Sequence, residues 1–158
     1  MNTQPRLHRE IAAGSLVTTA LLSGISLLTM PDWPDGFDAL LRTIEEHPTA
    51  SLISALTFVF AQLPFAIAAL AIGGLVIPRK PVLGGIGVAF AVVGAFGHSV
   101  YGGVAMTQLE MAQDSANHAV HADLLTGLES SPLVVFMAIG LLGTVCGLLL
   151  LAVALWRS

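Results

Sequence analysis

The chain has 158 residues, of which 55% are hydrophobic and only 10% charged, where a soluble domain carries about a quarter charged residues. Its net charge of −4, with no basic patch interleaved with aromatics, excludes nucleic acid as a partner. The single cysteine, Cys146, excludes an intramolecular disulfide, a multi-cysteine zinc site and a two-cysteine redox relay, and reads as a small packing residue.

The apolar residues gather into four blocks, each long enough to cross ~30 Å of hydrocarbon at ~1.5 Å of helix per residue. The first is predicted over 11–30. Arg6 and Arg9 precede it as they would in a signal peptide, but the block is too long for one and lacks a small-x-small cleavage site, so it is expected to stay as a span. Ser15, Thr19, Ser26 and Thr29 fall on one of its faces. The loop Pro31-Asp32-Trp33-Pro34-Asp35-Gly36 then leads into Phe37, Leu40, Leu41 and Ile44 at helical spacing among charges, and ends at His47-Pro48. This pattern predicts a short amphipathic helix at the membrane interface. His47, with Glu45 and Glu46, reads as solvated loop surface.

The second span is predicted over 51–77. Gln62 lies ~16 Å along it from the outer start, near the midplane, where an interhelical hydrogen bond is its expected role. Pro64 frees the carbonyl of Phe60 from its helical partner and favours a kink. The tight turn Ile77-Pro78-Arg79-Lys80-Pro81 joins this helix to an antiparallel neighbour.

The third span, over 82–112, carries a stripe of small residues of the kind that lets helices pack closely in lipid. Gly84, Gly87, Ala91, Gly94, His98, Gly102 and Ala105 fall within about 40° of one line, with Tyr101 and Ala112 beside it. His98 is therefore expected to point into the bundle, ~25 Å from Lys80 and near the outer edge of the hydrocarbon. An ionisable group inside a membrane is a functional hypothesis by default, and His98 with Tyr101 is the sharpest pair here. The competing role is a neutral imidazole tying helices together through Ser, Thr or Gln.

Beyond this span, Glu110, Asp114, His118 and His121 would share a face if the helix continued, and carboxylates with imidazoles on one face suit a divalent cation. The segment is rich in Ser, Asn and Asp, which favour turns, so a solvated loop followed by Asp123 competes with a metal site. The region 113–131 reads as a helical extension or a second short cap. The fourth span, over 132–156, offers Gly140, Gly143 and Gly147 as its small face. No cofactor is called for.

Orientation follows from Lys and Arg in the short loops, which stay in the cytoplasm. Arg6, Arg9, Arg79, Lys80 and Arg157 fall on one side and only Arg42 on the other, so both termini are expected to be cytoplasmic. Trp33 and Trp156 mark opposite borders. No Asp, Glu, Lys or Arg occupies the middle of a span, which argues against a proton relay, an ion pathway or a voltage sensor built from buried charge.

In its His47-Pro48 start, Pro-Arg-Lys-Pro turn, Gly-His-Ser-Val-Tyr-Gly-Gly-Val segment and closing Leu-Leu-Leu-Leu-Ala-Val-Ala-Leu-Trp-Arg, the chain resembles small four-span integral membrane proteins common in actinobacteria. The resemblance implies the architecture and brings no activity.

The expected fold is thus an all-α, up-down-up-down transmembrane four-helix bundle in one membrane domain. The leading functional expectation is a non-enzymatic binder of membrane lipid or another lipophilic small molecule, in a cleft of His98, Tyr101, Gln62, Gly94 and Phe65, or an accessory subunit. The alternative is a membrane-embedded isomerase, cyclase or hydrolase, with His98 as acid/base, Tyr101 orienting it and Glu110, Asp123 or a loop histidine as second proton carrier. Glu110 lies about 120° around a regular helix from His98, which weakens that alternative. A third reading is transport in a homo-oligomer paired through the Gly-rich faces.

Overall fold

The computed structural model describes residues 4–158, with side chains from Arg6 onward. Among these are six α-helices and one 3-10 turn: α1 (Gln4–Thr29), α2 (Phe37–Glu46), α3 (Pro48–Val76), α4 (Pro81–Gln113), the turn Ser115–Asn117, α5 (His118–Glu129) and α6 (Leu133–Trp156). Four of them, α1, α3, α4 and α6, are long and apolar enough to cross a membrane. The architecture is therefore that of a multi-pass membrane protein. Large apolar side chains such as Leu28, Phe60, Leu63 and Leu149 point outward all round it, as lipid-facing residues do.

Each helix begins where backbone chemistry allows. Pro48 and Pro81 stand at the first positions of α3 and α4, where a missing N–H costs nothing. Gly36, with φ of 88°, supplies the left-handed turn that leads into α2. Pro64 lies inside α3, which runs through it without a break. Between α3 and α4 the chain reverses in one turn, with Lys80 N–H donating to the carbonyl of Val76 at 2.8 Å.

The long helices pack in the order α1, α3, α4, α6, with Ser26 late in α1 meeting Ser54 early in α3, Gly84 early in α4 meeting Val76 late in α3, and Gly87 early in α4 meeting Leu151 late in α6; the most extensive contact is that of α4 with α6. The glycines of α4 divide between two neighbours. Gly84 and Gly102 meet Val76 and Val59 of α3, whereas Gly87, Gly94 and Gly97 lie against Leu151, Thr144 and Gly140 of α6. Backbone meets backbone there: a Cβ built on Gly143 would stand 2.8 Å from both the Cα of Gly94 and the carbonyl oxygen of Phe90. On the other side, Ala12, Ser15, Thr19, Leu22, Ser26 and Thr29 form the less exposed stripe of α1. There, Oγ of Ser26 donates to the carbonyl of Ser54 at 3.0 Å and Oγ of Ser54 donates back to the carbonyl of Ser26 at 2.9 Å.

Phe65, Ala69, Val76, Ala91, Ala95, Leu151 and Ala154 make the core of the bundle. A second, separate core lies at the end opposite the Arg79-Lys80 turn. There α2 buries Leu40, Leu41 and Ile44 against Ala112 of α4 and Leu125 of α5. The expected amphipathic helix is thus present, with its apolar face covered by protein. The region 113–131 forms a second cap, α5, and does not extend α4.

Candidate functional site

The break that creates α5 is local. Asp114 ends α4, and its carboxylate accepts both Nδ2 hydrogen bonds of Asn117, at 3.1 and 3.0 Å. Nε2 of His121 lies 3.2 Å from the same carboxylate. The Asn117 bonds, then that of His121, hold the Asp114 carboxyl below its ordinary value. His118 follows, only 4% exposed, with Nε2 3.0 Å from the carbonyl of Ala112. An Nε2–H there caps one of the carbonyls that the end of α4 leaves without an intrahelical partner. Glu45 of α2 stands 3.9 Å from the same nitrogen, so the imidazole joins α2, α4 and α5.

Under this cap lie two cavities on either side of one wall. The first, of about 140 Å³, lies between α1, α2, α3 and α4 and reaches Ser26, Met30, Ser54, Ala55 and Phe58. The second, of about 190 Å³, lies between α2, α4, α5 and α6 and reaches Phe37, Leu125, Glu129, Val134 and Met137. Trp33, Tyr101 and Gln108 line both. An apolar cavity of ~150 Å³ admits a benzene-sized molecule, and the two together reach the lower end of the ~300–1,000 Å³ of small-molecule sites.

The wall is built by helix periodicity. Tyr101 and Gln108 are seven residues apart on α4, hence within about 20° of one face. Gln108 is 7% exposed, yet its side-chain amide has no hydrogen-bond partner among the described residues. An amide without a protein partner that opens onto two cavities is free to bond a ligand or water. The serines of the first cavity are satisfied internally: Ser26 and Ser54 bond reciprocally, and Ser51 donates to the carbonyl of His47 at 3.0 Å.

Of the residues expected to form a ligand cleft, only Tyr101 lines these cavities. Gly94 is spent on the contact with Gly143 and Thr144, and Phe65 belongs to the bundle core. Gln62 donates from Nε2 to the carbonyl of Phe58 in its own helix, at 2.9 Å, in place of an interhelical bond. His98 does face its companions: its ring meets Phe58 of α3 edge-on, with centroids 5.6 Å apart, and Nδ1 lies beside Gly140 of α6.

His98 and the carboxylates do not converge. Glu110 is exposed and borders a shallow groove with Pro48, Thr49 and Gln113 on another face of α4, and Asp123 is exposed on α5. Because the chain breaks at Asp114, the single face expected of Glu110, Asp114, His118 and His121 does not form. Asp114 and His121 pair on the surface, His118 turns inward, and among the described residues no three His, Cys, Asp or Glu side chains gather as metal ligands would.

Gln108, Trp33 and Glu129 were not legible as site residues. A signal for Gln108 was present, since it lies about 20° from Tyr101 around the helix, but it lies past the hydrocarbon, where a glutamine reads as ordinary surface. Trp33 reads as an interfacial anchor and Glu129 as loop charge until the fold brings them to one mouth. No family model matches the chain, and neither does any curated protein or solved structure.

Proposed function

We propose that this protein binds an amphiphilic, lipid-like molecule at the outer face of a cell membrane, holding it in the paired cavities beside Tyr101 and Gln108 without catalysing its conversion. With the Arg79-Lys80 turn and both termini in the cytoplasm, the α2-α5 cap faces outward, as the distribution of Lys and Arg favours. Tyr101 then lies ~30 Å and Gln108 ~40 Å along α4 from Lys80, so the wall crosses the boundary between hydrocarbon and headgroups. A molecule with an apolar body and a polar end matches that boundary. The satisfied first cavity suits the chain, and the open groups of the wall suit the end.

One observation carries this reading: a glutamine amide with no hydrogen bond to the described residues, open to two apolar cavities whose wall it forms. The amide is open to the cavities, so the polar end of a ligand can reach it through a hydrogen bond or an ion–dipole contact. The test is retention. Protein purified in nanodiscs and washed with lipid-free detergent is extracted, and the bound amphiphiles are measured by native mass spectrometry. The wild type is expected to keep about one amphiphile per chain and Gln108→Leu to lose it while still folding. Equal retention by the two proteins, or none by either, contradicts the reading.

A further inference from the structure

The two cavities differ in charge, and the difference selects the polar end of the occupant. No ionisable side chain with a full charge lines the first. The second has Glu129 at its rim and three aromatic side chains, Trp33, Phe37 and Tyr101, on its walls. Aromatic faces with a carboxylate attract a cation, and a quaternary ammonium suits them best because it has no N–H that a burying site must satisfy. Gln108 lines the same space, and its amide oxygen turned toward an occupant is a further acceptor for positive charge.

The surrounding field has the same sign. Nine of the ten carboxylates, all but Glu10, lie from Asp32 to Glu129 on the cap side of the spans, and Arg42 is the lone Lys or Arg there. Arg42 is paired with Asp38 at 2.9 Å. A surface so biased raises the local concentration of cations and repels anionic headgroups.

We infer that the occupant is a cationic amphiphile, its ammonium head in the second cavity between Trp33, Phe37, Tyr101 and Glu129 and its chain toward the first. This rests on the binding reading above and adds the class of ligand. An anionic lipid would place its charge against Glu129, and a neutral one would leave the aromatic walls without a cation.

The test uses Trp33 as reporter, in a Trp156→Phe background so that a single tryptophan reports. Full-length protein in nanodiscs is titrated below the micellar range with dodecyltrimethylammonium, dodecyl maltoside and dodecyl sulfate, which share one chain and differ in the head. The ammonium is expected to shift Trp33 emission at about tenfold lower concentration than the maltoside, and the sulfate to bind weakest, a preference in the range of a cation–π contact joined to an ion pair. Glu129→Gln and Phe37→Leu should each erase most of that preference, read as the ratio of ammonium to maltoside affinity within each variant. Equal binding of all three heads, or a preference that survives Glu129→Gln, overturns the cationic assignment and leaves the binding site standing. If no head group perturbs Trp33, both readings fall.

Discussion

Ser26 and Ser54 each donate to the other's backbone carbonyl, and their hydroxyls lie 3.4 Å apart, so the two bonds form one coupled pair. Interhelical hydrogen bonds in membranes average ~0.6 kcal/mol. Ser26→Ala and Ser54→Ala are each expected to cost about that, and the double variant to depart from their sum by ~0.5 kcal/mol or more, as measured by unfolding in graded SDS. Strict additivity would mean the two hydroxyls act independently. For Gln108 the expected sign is opposite. Gln108→Leu exchanges an unmade amide for an apolar group of similar size and should leave stability equal or raise it by ~1 kcal/mol, although it abolishes binding. A large loss of stability would show that the amide is structural. At this scale the sequence was only half legible. Tyr101 announced itself as a polar residue on a small-residue stripe, but partnering decides a site, and nothing along the chain shows that Gln62 bonds within its own helix while Gln108 bonds to nothing.

The pairing of α4 with α6 depends on glycines whose backbones touch. A Cβ on Gly94 would meet the backbone of Gly143 at 2.8 Å, and one on Gly97 would meet the carbonyl of Phe136 at 2.5 Å. Backbone cannot rotate aside, so Gly94→Ala or Gly97→Ala must part the helices, at ~1–3 kcal/mol. Gly85 and Gly103 have nothing within 4 Å of the added atom, and Gly85→Ala should be neutral in the same melting experiment. Comparable losses at Gly94 and Gly85 would remove the close-contact argument. The α4-α5 junction has a pH dependence of definite sign. The Asp114 carboxyl is held below its usual 3.8 by Asn117 and then His121, so its stabilisation is complete above that value and is lost as pH falls through the lower folded-state value. Amide protection at the start of α5, corrected for intrinsic exchange, should drop on moving from pH 6 to below pH 3, and Asp114→Ala should remove the drop. Helix existence was legible from apolar length and from the spacing of Leu40, Leu41 and Ile44. The stop at Asp114 was not, because its bonds to Asn117 and His121 become evident only once the turn has formed.

Across the whole molecule the four spans divide the polar residues into two populations, basic at the turn end and acidic at the cap end. The proposed outward placement of the site rests on that asymmetry. In a Cys146→Ser background, Ala116→Cys on the cap should react with an impermeant maleimide added to intact cells, and Ser158→Cys should react only after lysis. The reverse pattern would turn the cavities toward the cytoplasm. Composition and block length made the bundle readable, and the glycine stripe located its tightest seam. The cavities were not readable, since they arise where α2 and α5, two short helices from separate loops, roof over the ends of the spans.

The claim on which the function depends is occupancy of that roofed space. A photoactivatable dodecyl-ammonium probe, cross-linked in nanodiscs and mapped by mass spectrometry, addresses it directly. Adducts on Met30, Met137 and Tyr101, suppressed by excess unlabelled dodecyltrimethylammonium and absent in Gln108→Leu, are the result predicted. Adducts confined to lipid-facing residues such as Leu28, Phe60 and Leu149, indifferent to competitor and to Gln108, would contradict it.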